Sequence, residues 1–158
     1  MMEIVLRDAV PEDEEFLARL YCDVRRREVD AWGWPAEQQQ LFLRMQFEAQ
    51  RRSYRSGFLD AEDRIICRNG ECIGRMLVSS EPAAMRLIDI ALLEAHRNRG
   101  IGTGLLRELL RRCETEHCPL RLQVLQGNPA ARLYQQLGFV PSSVDPMYVQ
   151  MEWTPGTA

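Results

Sequence analysis

The sequence predicts an α+β fold, a mixed and largely antiparallel sheet flanked by helices. Three observations carry this reading. Apolar residues recur at helical spacing over the first third of the chain, a period-two pattern punctuated by turn dipeptides follows, and the helical period then returns between further strands.

Residues 3–7 (Glu3, Ile4, Val5, Leu6, Arg7) read as a short strand. Pro11 followed by Glu12, Asp13, Glu14 and Glu15 marks a helix start, because proline fits a first turn and carboxylates suit the positive end of the helix dipole. Phe16, Leu17, Leu20, Tyr21 and Val24 continue it at helical spacing. After a short aromatic loop, Trp32-Gly33-Trp34-Pro35, a second helix is expected over residues 35–54 with Leu41, Phe42, Met45 and Ala49 on its apolar side. The period then shortens. Residues 65–67, the Asn69-Gly70 turn, residues 72–79, the Glu81-Pro82 break and residues 87–93 make a hairpin extended to three antiparallel strands. From Thr103 the helical period resumes through Leu105, Leu106, Leu109, Leu110 and Cys113, and Pro119 introduces a strand over 120–125. Asn128-Pro129 opens a helix carrying Ala131, Tyr134 and Leu137; Gly138 closes it, and strands at 139–140 and 147–153 finish the chain.

A chain of 158 residues, 46% of them hydrophobic, suits one domain over 1–158 with a single core. Its N-terminal stretch lacks the basic start and apolar centre of a signal peptide, and no run approaches the roughly eighteen apolar residues of a membrane span, so a soluble cytoplasmic protein is expected. The net charge is −3 and the arginines are interleaved with acids, which is not the footprint of a nucleic-acid binder. All twenty basic residues are arginine. The absence of lysine excludes the phosphate loop of nucleotide hydrolases and every Schiff-base mechanism. The five cysteines, Cys22, Cys67, Cys72, Cys113 and Cys118, contain no C-x-x-C pair. Cys67 and Cys72 should face each other across the hairpin, where a disulfide is geometrically conceivable, but a reducing compartment favours two small buried thiols. A zinc site shared with Cys113 and Cys118 lacks the usual tight ligand pairs, and no metal is expected. His96 and His117 are read as solvent-facing, without a catalytic role.

The segment HRNRGIGTGLL, residues 96–106, places Gly100, Gly102 and Gly104 at alternate positions before a helical run. Glycines at a strand-to-helix turn let backbone N–H groups converge on an anion, and the helix N-terminus adds partial positive charge. A dinucleotide fingerprint would need a glycine where Leu105 stands, and it follows a parallel strand, not an antiparallel run. What remains, Arg97-Asn98-Arg99-Gly100-Ile101-Gly102, resembles the R/Q-x-x-G-x-G/A pyrophosphate loop of the GNAT superfamily of acetyl-CoA-dependent N-acetyltransferases. The strand Leu87-Ile88-Asp89-Ile90-Ala91-Leu92-Leu93 is similar to that family's fourth strand. Residues 128–139 resemble its N-x-x-A-x-x-x-Y-x-x-x-G-F segment, through Asn128, Ala131, Tyr134, Gly138 and Phe139. The match is specific over residues 87–139 and looser before them; Glu94 departs from it, standing where many members carry proline.

The resemblance implies the GNAT fold and acetyl-CoA as co-substrate, bound by Leu92, Arg97, Asn98, Arg99, Gly100, Ile101, Gly102, Thr103, Gly104 and Asn128. It also implies that Tyr134 is the general acid for the departing thiolate. The acceptor, a primary amine of a small molecule or peptide, is expected against Trp32, Trp34, Gln46, Phe47, Gln50 and Tyr148. Asp89 is a candidate base, since a carboxylate in an apolar strand is costly to bury without a purpose or a partner. A structural role, held by Arg75, Arg86 or backbone N–H groups, is equally open, as is an ordered water acting as the base. Direct attack in a ternary complex fits, because no cysteine has the context of an acyl-enzyme nucleophile. The alternative is a non-catalytic acyl-CoA-binding sensor or assembly protein of the same fold. No nucleic acid or membrane is expected as a partner, and a homodimer stays open.

Overall fold

The computed structural model describes residues 3–57 and 60–156. Met1 and Met2 of the N-terminal stretch, and residues 157–158 at the end of the expected domain, lie outside the described residues. In chain order the strands are β1 (Ile4–Asp8), β2 (Glu62–Arg68), β3 (Glu71–Glu81), β4 (Ala84–Leu92), β5 (Leu120–Leu125), β6 (Val140–Val144) and β7 (Tyr148–Trp153). The helices are α1 (Glu14–Asp30), α2 (Ala36–Gly57), α3 (Ile101–Glu116) and α4 (Ala130–Gln136). The strand order is β1-β2-β3-β4-β5-β7-β6 in a mixed, mostly antiparallel sheet, the α+β class that the periodicity predicts. The chain divides into two compact units, one of residues up to 77 plus 89–102, the other of residues 78–88 and from 103 onward.

In the first unit β1 runs antiparallel to β2, Ile4 opposite Arg68 and Asp8 opposite Arg64. The turn between β2 and β3 has positive φ at both central residues, Asn69 at 50° and Gly70 at 86°, which matches the twist of a two-residue hairpin. A 3₁₀ turn, Pro11–Asp13, precedes α1. Buried Asp13 takes both Arg7 terminal nitrogens at 2.8 Å and the Val10 N–H at 2.9 Å, so this acid clamps β1 to the start of α1 instead of serving the helix dipole alone. The Arg7 guanidinium holds the Asp13 carboxyl below the usual carboxylate range.

Helix α2 corrects the sequence reading. Its buried stripe is Leu43 and Phe47, while Leu41 and Met45 are 65% and 64% exposed and Ala49 also faces out. Two apolar stripes run along this helix, and Gln50 interrupts the one that is buried. Contact with α1 decides between them: Phe47 lies 5.8 Å from the Tyr21 ring, and Arg51 pairs with Glu14 at 2.7 Å. Gly74 in β3 is also needed where it stands, because a Cβ there would run into the Ala91 carbonyl oxygen and approach Leu92 Cδ2 to 2.8 Å.

In the second unit β4 pairs parallel with β5 through Met85 opposite Leu120, and β5 pairs antiparallel with β7 from Leu120 opposite Trp153 to Leu125 opposite Tyr148. The α3 residues Leu105, Leu106, Leu109, Leu110 and Cys113 are buried as their spacing predicts. Strand β6 covers Val140–Val144, not 139–140; its residues are all exposed, whereas Phe139 is buried ahead of it. Gly138, at φ +105°, follows the terminal α4 turn in the left-handed conformation that glycine accepts.

All five cysteines are free; the Cys72 sulfur lies 3.4 Å from Arg7 Nη2, and burial pushes the Cys67 thiol up. Among the described residues no helix is long and apolar enough to cross a membrane. The same residues hold no group of three metal-ligating side chains.

If Leu43 and Phe47 form the packed face of α2, Phe47→Ala should cost about 3–5 kcal/mol. Met45→Ala should stay within about 0.5 kcal/mol, as surface substitutions do. Urea denaturation of both variants checks this, and equal losses would place the wrong face inward.

Candidate functional site

The glycine segment begins where β4 ends. A 3₁₀ turn, Glu94–His96, carries the chain out of the sheet, and Arg97 then folds back on it. Its Nε donates to the Leu92 carbonyl at 2.9 Å and its Nη2 to Asp23 Oδ2 at 3.2 Å. The same Asp23 oxygen accepts the Glu94 N–H at 2.8 Å. Arg97 is therefore occupied within the protein, where its position beside the glycines suggested a guanidinium turned toward phosphate. Arg99 is exposed, and among the described residues its Nε donates to the Ala95 carbonyl at 3.2 Å. His96 is half-buried, not solvent-facing, with Nδ1 3.2 Å from Arg68 Nη1; His117 is exposed.

Asn98 and Gly100 take positive φ, 61° and 81°, the left-handed conformation that asparagine and glycine accept most readily. Helix α3 then starts at Ile101, whose side chain is buried. Gly102 and Gly104 thus sit inside the first helical turn, two residues earlier in helix than the pattern from Thr103 predicts. A Cβ on Gly102 would meet only Leu92 Cδ1, at 3.9 Å, and one on Gly100 or Gly104 would meet nothing within 4 Å. Packing among the described residues gives no reason for glycine at 102 or 104.

Elsewhere in the first unit, Asp89 on β4 faces a small recess of about 60 Å³ lined also by Tyr21, Arg25, Phe47, Gln50 and Arg75. Neither arginine suggested as its structural partner bonds to it: Arg75 is held by both Asp63 oxygens at 2.9 Å, and Arg86 by Glu81 at 2.6 Å. Burial pushes the Asp89 carboxyl above the usual carboxylate range, with Asp63 adding to the effect, while the fields of Arg75 and Arg25 and the Ile90 backbone N–H oppose it. Gln46 adjoins the recess by accepting the Tyr21 hydroxyl at 3.5 Å. The structure thus gathers Asp89, Phe47 and Gln50 in one place. Tyr21 and Arg25 join them unforeseen; their i, i+4 spacing on α1, which stacks Arg25 over the Tyr21 ring at 4.5 Å, was the available signal. Trp32 and Trp34 do not line the recess; they close on each other and on Phe42 with ring centroids 5.2–5.5 Å apart.

In the second unit Asn128 Oδ1 accepts the Ala130 N–H at 2.9 Å and so caps the start of α4. Tyr134 is buried on that helix, its ring edge-on to Phe139 at 5.6 Å. Half-buried Tyr148 opens β7, its N–H donating to Asp145 Oδ1 at 2.6 Å.

Known proteins share this architecture. Similar solved structures include the PaiA N-acetyltransferase of Thermoplasma acidophilum in complex with coenzyme A, at 19% identity over 96% of this chain and 99% of that one, with a TM-score of 0.72. An acetyltransferase from Thermus thermophilus matches at 16% identity, 96% of each chain and a TM-score of 0.68. The ribosomal-protein-S18-alanine N-acetyltransferase of Escherichia coli matches at 16% identity over 99% of this chain and 96% of that one, with a TM-score of 0.62. No curated protein sequence matches. The model of the acetyltransferase (GNAT) family matches residues 17–139, from α1 through the glycine segment to the end of the Asn128 motif, and the chain therefore belongs to the GNAT acetyltransferase family.

Proposed function

We propose that this chain, acting as one domain over 1–158, transfers an acetyl group from acetyl-CoA to a primary amine of a small molecule or peptide by direct attack in a ternary complex. The observation that carries the reading is the start of α3. Glycine inside a helix costs about 1 kcal/mol relative to alanine. Gly102 and Gly104 accept that cost although, among the described residues, no atom stands where a Cβ would strike it. A ligand phosphate approaching the free N–H groups of the first turn accounts for it. Asn98, Arg99, Gly100, Ile101, Gly102, Thr103 and Gly104 would cradle the pyrophosphate, with Leu92 and Asn128 assigned to the rest of the co-substrate by their motifs. Arg99 supplies the available guanidinium, and Arg97 acts by holding the loop.

Bound acetyl-CoA supplies the thioester carbonyl that the amine attacks. An alkylamine with a pKa near that of lysine, about 10.4, is nucleophilic in only about one molecule in two thousand at pH 7. Asp89 takes its proton, directly or through one water in the recess. Burial raises the proton affinity of this carboxylate toward the range useful to a base at neutral pH. Tyr134, on its motif position, returns a proton to the departing thiolate. Phe47, Gln50 and Gln46 lie around Asp89 and are assigned to the acceptor; Trp32, Trp34 and Tyr148 are assigned to it by resemblance.

Acetyl-CoA should raise the melting temperature, whereas NADH and ATP should not. Gly102→Asp, which places a carboxylate among the N–H groups, should remove the acetyl-CoA shift; an undiminished shift would refute the cradle. A screen of amines, amino acids, aminoglycosides, polyamines and peptides, read by thiol release, tests turnover. Release with none of them despite tight CoA binding would favour the non-catalytic sensor.

Tyr134→Phe should lower kcat by about 10²–10⁴-fold while acetyl-CoA affinity holds. Full kcat with chemistry rate-limiting would remove Tyr134 from the mechanism.

Asp89→Asn should slow the reaction at neutral pH and recover part of the deficit as pH rises and more amine arrives deprotonated. Its stability should move the other way. Because burial raises the native pKa, the folded protein binds more protons than the unfolded chain between about 3.9, the ordinary aspartate value, and the raised value. Stability falls as pH rises through that window, and the ionised group remains a cost above it. Asp89→Asn should therefore raise Tm at pH 7, with the gain fading below the window. An unmoved rate–pH profile would make Asp89 structural.

A further inference from the structure

The first unit holds a second, larger opening. A cleft of about 470 Å³ lies among the start of α1, the second half of α2 and strands β2 and β3, and Asp89 is not among its lining residues. That volume is in the range of small-molecule sites, roughly 300–1,000 Å³. Its apolar lining includes Val10, Pro11, Leu17, Phe47 and Leu77. Its charged lining is three guanidiniums, Arg51, Arg55 and Arg75, against two carboxylates, Glu14 and Asp63.

Most of these charges are already matched. Arg75 is bidentate on Asp63 and lies over the Tyr54 ring at 5.7 Å. Arg51 spans Glu14 at 2.7 Å and Glu48 at 3.1 Å. Burial pushes the Tyr54 phenol up to about 12, so it stays neutral at physiological pH. Arg55 differs: it is exposed, and among the described residues no carboxylate closes on it. Among the described residues the cleft therefore offers an apolar surface and, at its edge, the Arg55 guanidinium without a paired carboxylate.

We propose that this cleft binds a small carboxylate with an apolar body, its charged end on Arg55 and its body over Val10, Leu17 and Leu77. A guanidinium presents paired N–H groups in the geometry that a carboxylate accepts. A cationic ligand finds both lining carboxylates engaged and an arginine unopposed. A phosphate dianion would need a second free cation, and Arg51 and Arg75 are both held. Leu17, Phe47 and Arg75 also line the Asp89 recess, so the two openings share a wall. The carboxylate can accordingly belong to the acceptor amine or to a separate effector.

The test titrates 4-phenylbutyrate and its uncharged amide into the full chain by calorimetry, without CoA. The acid should bind about ten- to a hundredfold tighter than the amide, the worth of a charge-assisted bond. Arg55→Gln, at an exposed position that should leave the ligand-free Tm unchanged, should erase the difference; Arg55→Lys should restore part of it. Equal binding of acid and amide, or preference undiminished in Arg55→Gln, overturns the proposal. Thiol release with phenylalanine and phenethylamine separates the sources. An Arg55→Gln rise in KM confined to phenylalanine assigns the carboxylate to the acceptor, while a change in phenethylamine turnover on adding 4-phenylbutyrate, without competition, assigns it to an effector. Calorimetry decides the site even if no amine is acetylated, so failure of the cleft and failure of the transferase reading remain distinct.

Discussion

The link between Arg97 and Asp23 holds the candidate co-substrate loop in place. One guanidinium reaches the last carbonyl of β4 and a carboxylate on α1, and that carboxylate also caps the Glu94 N–H. Charge-assisted bonds of this kind are stronger than neutral ones, and both side chains are largely shielded from water, which limits screening. The segment from Asn98 to Gly104 can then be rich in glycine without being loose. Its order comes from an arginine before it and from Ile101 buried within it.

A similar division of labour sets the character of Asp89. Arg75 is near enough for its field to act on that carboxylate, yet its Nε and Nη2 both donate to Asp63. Asp89 is consequently desolvated, with partial electrostatic relief and without an ion pair. Such a group weakens the fold where it sits and gains proton affinity. The same Arg75–Asp63 pair cancels charge in the neighbouring cleft, where among the described residues no carboxylate closes on Arg55.

Tyrosine and glutamine complete the surroundings of the acid. Tyr21 and Tyr54 are both shifted upward mainly by burial and feel the Asp89 charge, so they remain neutral phenols beside it. Neutral donors near a desolvated carboxylate can orient it or an adjoining amine without fixing its charge, which a guanidinium in the same place would do.

The local sequence was enough to determine the order and type of the main elements, though not the bounds of β6 or the start of α3. The Asn69-Gly70 turn, the α3 leucines and the Gly100-Ile101-Gly102 segment depend on backbone conformations and periodicities set by adjacent residues, so they are legible in a single chain. The candidate base was legible as well, as a carboxylate in an apolar strand. What only the tertiary structure decided is which groups meet. Arg97 finds Asp23 across 74 positions, Arg75 bonds to Asp63 and not to Asp89, and α2 turns Leu43 and Phe47 inward although Leu41 and Met45 offer an equally apolar stripe. Each of these outcomes is a choice among partners of similar chemistry. It is settled by distances between segments far apart in the chain, which periodicity and local propensity do not encode.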